Sequence, residues 1–172
     1  GSGRTQMVYR IPSRGLIGFR SELLTESRGE GTIHTEFAGW EQDAGPLKRR
    51  ANGALVADRP GTTTGYALFH LQPRGTLFVG PQTDIYEGMI LGEHSRENDL
   101  NVNGTKGKQL TNFRASGTDD KLVLVPPKQV TLEWAIEFID EDEWVEITPS
   151  SIRLRKKTLA ANQRSIVRTQ PT

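Results

Sequence analysis

Hydrophobic positions recur along this chain at two spacings, and an element begins or ends where the spacing changes. Residues 6–11 (QMVYRI) set Met7, Tyr9 and Ile11 against Val8 and Arg10, the alternation of a strand. After Pro12 and Ser13 the spacing lengthens. Leu16, Phe19, Leu23 and Leu24 recur every three or four residues against Arg20, Glu22 and Glu26, which predicts a helix with Gly29 as its C′ stop. Residues 32–40 return to alternation, with Ile33, Thr35 and Phe37 facing away from Thr32, His34 and Glu36. Strand, helix and strand make half of a ferredoxin-like βαββαβ unit. Half a unit leaves a sheet edge open to pairing with a second copy, so a dimer formed there would be a consequence of truncation.

Residues 42–46 form a turn-rich joint, followed by Lys48, Arg49 and Arg50. A strand over 53–57 then leads through Asp58-Arg59-Pro60-Gly61 into a short helix capped by Thr62 or Thr63, packed through Tyr66, Leu68/Phe69 and His70/Leu71 and ended by Pro73 and Gly75. Strands are expected at 76–79 and 89–93, around a turn at 80–83, and another at 121–125. A helix capped at Thr131 should carry Leu132, Ala135/Ile136 and Ile139 as its apolar stripe, before a last strand over 147–154. The fold class is therefore α+β: a partial ferredoxin-like piece over 1–46, a β-rich domain with two short helices over 47–158, and a basic, disordered tail over 159–172.

Between two of the predicted strands lies a segment that fits neither period. Residues 95–117 (SRENDLNVNGTKGKQLTNFRASG) carry four bases against two acids, interleaved with four Asn and three Gly. Structureless stretches beyond about 12–15 residues are uncommon in compact domains unless they are functional or disordered. Bases, amides and turn formers together suggest a loop that orders against an anionic partner, with RNA the first candidate. The net charge of +1 gives no support by itself, so the case rests on local patches. Two blocks of opposite sign stand out. Residues 133–146 hold seven acids and no base, and residues 153–168 hold six bases and no acid. The basic block (Arg153, Arg155, Lys156, Lys157, Arg164, Arg168) reads either as a solvated tail or as sequence-blind phosphate contact. Phe113 is the one aromatic of the loop, which leaves base stacking there a minor term.

Catalytic chemistry has little support. His34, His70 and His94 lack companion ligands at metal-binding spacing, and cysteine is absent, which removes thiolate nucleophiles and disulfides and fits a reducing cytoplasm. The acids at 140–143 read as a solvated run and not as an acid–base pair. Asp58-Arg59-Pro60-Gly61 has the DxPG pattern of GTP-binding domains, but no GxxxxGK[ST] loop or NKxD accompanies it, so it reads as a turn. No apolar run approaches the roughly 18 residues of a membrane span. The opening GSGRTQM does not look like a natural start, so missing targeting signals are uninformative.

Residues 12–40, PSRGLIGFRSELLTESRGEGTIHTEFAGW, resemble the second half of domain V of translocase-like ribosomal GTPases: a Pro before the helix, the pair Gly18-Phe19 within it, and Arg28-Gly29-Glu30-Gly31 before the last strand. IYEGMILGEHSRENDLNVN, KQLTNFRASG, TLEWAIEFI and EITPSSIRLRKK resemble the C-terminal domain particular to the BipA (TypA) family. The resemblance implies a bacterial or organellar translation GTPase, cytoplasmic and ribosome-associated, linked to stress adaptation and large-subunit assembly. It implies that the loop, 98–119 here, reaches the acceptor end of transfer RNA in the ribosomal A site. Arg96, Asn98, Asn103, Lys106, Lys108, Asn112 and Arg114 are the expected RNA contacts, with Arg153, Arg155, Lys156 and Lys157 as a second set. Partners would be ribosomal RNA, A-site transfer RNA and ribosomal proteins, with no membrane and a monomeric chain. GTP and Mg²⁺ would belong to a nucleotide domain without counterpart here, so no cofactor and no enzymatic activity are expected of this stretch. The competing expectation is a protein-interaction module, in which the acidic helix region 132–146 docks a basic ribosomal protein.

Overall fold

The structure, a computed structural model, describes residues 3, 5–45, 50–107 and 123–164. The chain divides into two compact units, Gly1–Arg49 and Arg50–Thr172. Together they hold helices and several small sheets, as an α+β class requires.

In the first unit, Pro12 precedes a single 3₁₀ turn, Ser13–Leu16, and Gly18 at φ 82° separates it from helix α1, Phe19–Glu26. The helix therefore starts later than its apolar spacing predicts, because a left-handed Gly18 cannot continue a right-handed turn. Its end is a Schellman motif: Arg28 N–H donates to Thr25 O (3.2 Å) and Gly29 N–H to Leu24 O (2.7 Å). Arg28, at φ 52°, takes the C′ position that the sequence gives to Gly29. The strands expected at 6–11 and 32–40 do not form; no ladder involves them among the described residues. In a split βαβ arrangement the two strands of one half are separated by a strand of the other half, and alternation without that neighbour yields no hydrogen-bond partner.

The second unit is built on strand β1, Ala54–Ala57, whose four residues are all buried. An apolar run without alternation needs cover on both faces, and it has it. Strand β2, Gly61–Thr62, pairs with β4, Asp84–Ile85, as a small separate ribbon. The main sheet runs β3 (Gly75–Leu77), β5 (Ile90–His94), β1, β6 (Leu100–Val102), with β6 parallel to β1 and the other pairs antiparallel. Helix α2, Gly65–Leu71, covers one face, its Leu68 and Leu71 packing with Leu55, Ala57, Leu91 and Val102. Helix α3, Leu132–Phe138, and the hairpin of β7 (Glu143–Ile147) and β8 (Ile152–Lys156) cover the other, where Ala135, Phe138 and Leu154 meet Ala54, Val56 and Ile90.

Several local expectations change. Thr64, not Thr62 or Thr63, caps α2, since its hydroxyl accepts from Ala67 N–H at 3.0 Å; Thr63 is buried and donates to Gly80 O at 2.7 Å. The inward stripe of α3 is Ala135 and Phe138, while Leu132 and Ile136 face outward. The last strand is in fact a hairpin: Thr148 and Ser151 bond across Pro149-Ser150 and reverse the chain inside the expected 147–154 run. Residues 123–125 carry no strand, and 121–122 lie outside the described residues.

The largest change concerns 95–117. Its Leu100–Val102 portion is β6, a member of the main sheet, with Leu100 and Val102 packed in the core. Three residues of alternation among Asn and Asp give too short a signal to read as a strand. The close approach that admits β6 needs Gly53, where a Cβ would stand 2.2 Å from the Asn98 carbonyl carbon.

Candidate nucleic-acid interface

Helix α2 holds both ends of the chain on either side of residues 108–122. At its N-terminus Thr64 N–H donates to Gly104 O (3.1 Å), and the Thr64 hydroxyl, besides capping the helix, donates to Lys106 O (2.6 Å). Asn103 shapes the approach: its Oδ1 accepts from both Thr105 N–H and the Thr105 hydroxyl at 2.9 Å, an Asx turn. At the other end of α2, Gln72 acts as a substitute for a strand. Its Nε2 donates to Val123 O (3.2 Å) and its Oε1 accepts from Val125 N–H (3.1 Å). Leu124 packs, partly buried, against the core cluster that α2 covers, and Lys128 N–H donates to Leu77 O at 2.8 Å. A seven-residue helix is about 10 Å long, so the two exits are set at a short and fixed separation.

The expected RNA contacts divide accordingly. Lys106 is exposed at the first exit, its side chain in no ion pair among the described residues. Arg96 is likewise exposed, in the turn between β5 and β6, with its carbonyl accepting from Gly53 N–H at 2.7 Å. Asn98 and Asn103 serve the turns: Asn98 Nδ2 donates to Asp99 O (3.1 Å) and its carbonyl meets His94 Nδ1 (2.5 Å). Lys108, Asn112 and Arg114 lie outside the described residues, as do Lys48, Arg49 and Phe113. The DxPG tetrapeptide is a turn after β1, with Arg59 bonded to Asp58 through two 2.9 Å contacts.

Lys156 must be removed from the set. It is buried, its ammonium held by Asp99 (2.5 Å), Glu143 (2.7 Å) and Asp142 (3.0 Å). Arg50 completes the cluster: its guanidinium forks onto Glu143 at 2.5 and 2.6 Å, donates to Phe138 O at 3.2 Å and lies 4.3 Å above the Phe138 ring. Asp99 joins the cluster to the sheet by accepting from Ala54 N–H at 2.8 Å. The acidic run at 140–143 is thus not a uniformly solvated face, since Glu143 is one of the most deeply buried side chains.

Burial disfavours the charged forms here, but the partners outweigh it. Bonds from Lys156 and Ala54 hold the Asp99 carboxyl below the usual 3.8. Glu143 and Asp99 hold Lys156 above the usual 10.5. A carboxyl depressed in the folded state stabilises above its unfolded pKa and loses that contribution as pH falls through the folded one. An ammonium raised in the folded state loses its contribution only as pH rises past its folded pKa. Thermal melts of the chain are expected to show a flat optimum between about pH 5 and pH 10 and a progressive fall below about pH 4, where the unfolded chain binds a proton that the folded Asp99 still resists.

The outer face of the β7–β8 hairpin is different. Trp144 is 49% exposed and lies directly across from Arg155, whose guanidinium sits 4.6 Å from the indole centroid. Lys157 Nζ is 6.0 Å from the same ring, and Arg153 lies across from Glu146. Glu146 accepts the Tyr86 hydroxyl, and burial followed by that bond pushes the Tyr86 phenol up. Beyond the hairpin, the first residues of the basic tail are tied down: Ala161 N–H donates to Glu87 (2.8 Å), and Arg164 donates to Leu159 O (2.7 Å) and Asn101 (2.5 Å).

A sheet module whose short helix anchors residues 104–106 and 123–125 follows, in this chain, a smaller unit. Family models match the two in turn: residues 1–51 match the elongation factor G C-terminus, and residues 52–161 match the TypA/BipA C-terminal domain. These are C-terminal modules of translation-factor GTPases. The chain belongs to the TypA/BipA family. It is 53% identical over 165 residues to the large ribosomal subunit assembly factor BipA of Escherichia coli K12, a match covering 95% of this chain and 27% of the relative. The factors of the same name from Salmonella typhimurium and Haemophilus influenzae are 52% and 51% identical over the same coverage. The chain therefore spans about a quarter of the length of these relatives.

Proposed function

We propose that this chain is the ribosome-binding C-terminal region of a BipA-type translation factor, cytoplasmic and active as a monomer, working in stress adaptation and in assembly of the large subunit. Residues 47–158 form the binding domain, and residues 1–46 the second half of a domain V. Arg96 and Lys106 mark the base of a basic finger, and Lys108, Asn112 and Arg114 carry it outward to the acceptor end of A-site transfer RNA and to ribosomal RNA. Arg153, Arg155 and Lys157 form a second basic strip. The single observation that supports this reading is the double attachment of the finger to α2 through Thr64 and Gln72. A loop that merely connected two strands would not need both exits fixed. Phosphate contacts supply affinity and the amides set the pose. The activity assigned is binding; GTP hydrolysis would reside in the parent protein's nucleotide domain.

The alternative, docking of a basic ribosomal protein on the acidic region 132–146, loses ground because two of its acids are used internally: Glu143 is buried and Asp142 holds Lys156. The test is sedimentation with large ribosomal subunits. The parent chain should pellet, and Lys108→Glu with Arg114→Glu should stay in the supernatant while melting like the parent.

A further inference from the structure

The hairpin sorts its charges by face. Inward, Lys156 is neutralised by three carboxylates. Outward, among the described residues, no ion pair joins Arg153, Arg155 or Lys157 to a carboxylate. Glu146, the acid of the hairpin's outward row among the described residues, lies across from Arg153 and accepts the Tyr86 hydroxyl, while Arg155 lies across from Trp144. These three cations stand at every second position, and strand geometry separates such positions by about 6.7 Å. That step is comparable to the distance between successive phosphates along an extended nucleotide chain. Trp144 stands in the same row with half its surface open to solvent. A large aromatic ring exposed on a sheet face, already stacked with a guanidinium, is a platform for a further planar group.

We infer that the outer face of the β7–β8 hairpin takes single-stranded RNA, an unpaired base stacking on Trp144 while its flanking phosphates lie on Arg153, Arg155 and Lys157. The inference rests on the RNA-binding reading above and adds to it a ligand class: unpaired nucleotides, at a place separate from the finger. Backbone bonds keep the row in position, since Lys156 N–H donates to Gly88 O (2.9 Å) and Lys157 N–H to Asp142 O (2.8 Å). Stacking requires a base free of its helix, so duplex RNA would meet the cations and leave the ring unused.

The test uses the full chain with a short oligoadenylate and with a blunt RNA duplex, read by fluorescence anisotropy. Trp144→Leu should weaken oligoadenylate binding about tenfold and leave duplex binding unchanged, and Trp144→Phe should recover most of the loss. Arg155→Gln with Lys157→Gln should weaken both ligands and lower the single-strand salt slope by about 1.4. Arg59→Gln, on the turn after β1 and bonded to Asp58, should leave oligoadenylate binding within about twofold, which separates the hairpin row from an ordinary surface cation. If Trp144→Leu binds oligoadenylate as the parent does, the stacking site is overturned, whatever the cation variants show. Loss of ribosome sedimentation in the finger variant alone would then still support the proposed function. An oligoadenylate that does not bind the parent at all overturns the inference directly, and capture of an acidic protein by the same face in place of RNA would do so as well.

Discussion

Glu143→Ala should destabilise the second unit by about 3–5 kcal/mol, the loss typical when one partner of a buried charge pair is removed. The reason lies in what remains. Arg50, with a side chain 9% exposed, would keep, among the described residues, Asp99 at 3.8 Å and the charge of Asp140 as counter-charges, and its fork would point into a cavity. Lys156 would keep Asp99 and Asp142, so the larger penalty falls on Arg50. A change of this size lowers the melting temperature of a unit this large by about 15 °C. Glu143→Gln should cost less, because the amide retains one acceptor for Arg50. If Glu143→Ala melted within 2–3 °C of the parent, by about the shift of 0.5 kcal/mol, the cluster would not be the clamp described here.

Charge reversal at Lys108 and Arg114 carries the second large effect. Each lost charge-assisted bond to phosphate is worth about 1.5–3 kcal/mol, and reversal adds repulsion. Affinity for large subunits should therefore fall at least about a hundredfold at moderate salt. Stability should be unchanged, because the base of the finger is fixed by Thr64 on the Lys106 carbonyl, by Gln72 on Val123 and Val125, and by Leu124 against the core, none of which depends on these two charges. An equal change at Arg59, bonded to Asp58 on the exposed turn after β1, should leave ribosome affinity within about twofold. A comparable loss from both variants would reduce the finger's role to that of any surface charge.

What could be read from residues alone follows from signal length. The apolar run of β1 and the Thr131 cap of α3 are strong local signals, and both elements form where expected. Strand β6 was hidden because Leu100 and Val102 are its whole apolar content, and its partner β1 lies more than forty residues upstream in the chain. The ion cluster was hidden for another reason. Arg50, Asp99, Glu143 and Lys156 come from four places, and EWVEI and IRLRK look polar-outward when each is read alone. The hairpin register shows what the composition conceals: Glu143 pairs directly with Lys156, both on the inward side, while Trp144 pairs with Arg155 outside. Opposite charges at matching inward positions of two adjacent strands were the available clue. The family resemblance was legible because it rested on long segments, whereas the role of each basic residue depends on which face of the sheet it occupies.

Direct contact between the finger's cations and RNA phosphates can be read by titrating the chain onto protein-free large-subunit ribosomal RNA at increasing salt. Binding is expected at low salt, with a linear fall of log affinity with log salt, and a slope reduced by about two in the Lys108→Glu, Arg114→Glu variant. A chain that pellets with intact subunits yet ignores the naked RNA at low salt would contradict it, and would return the acidic face around α3 to first place.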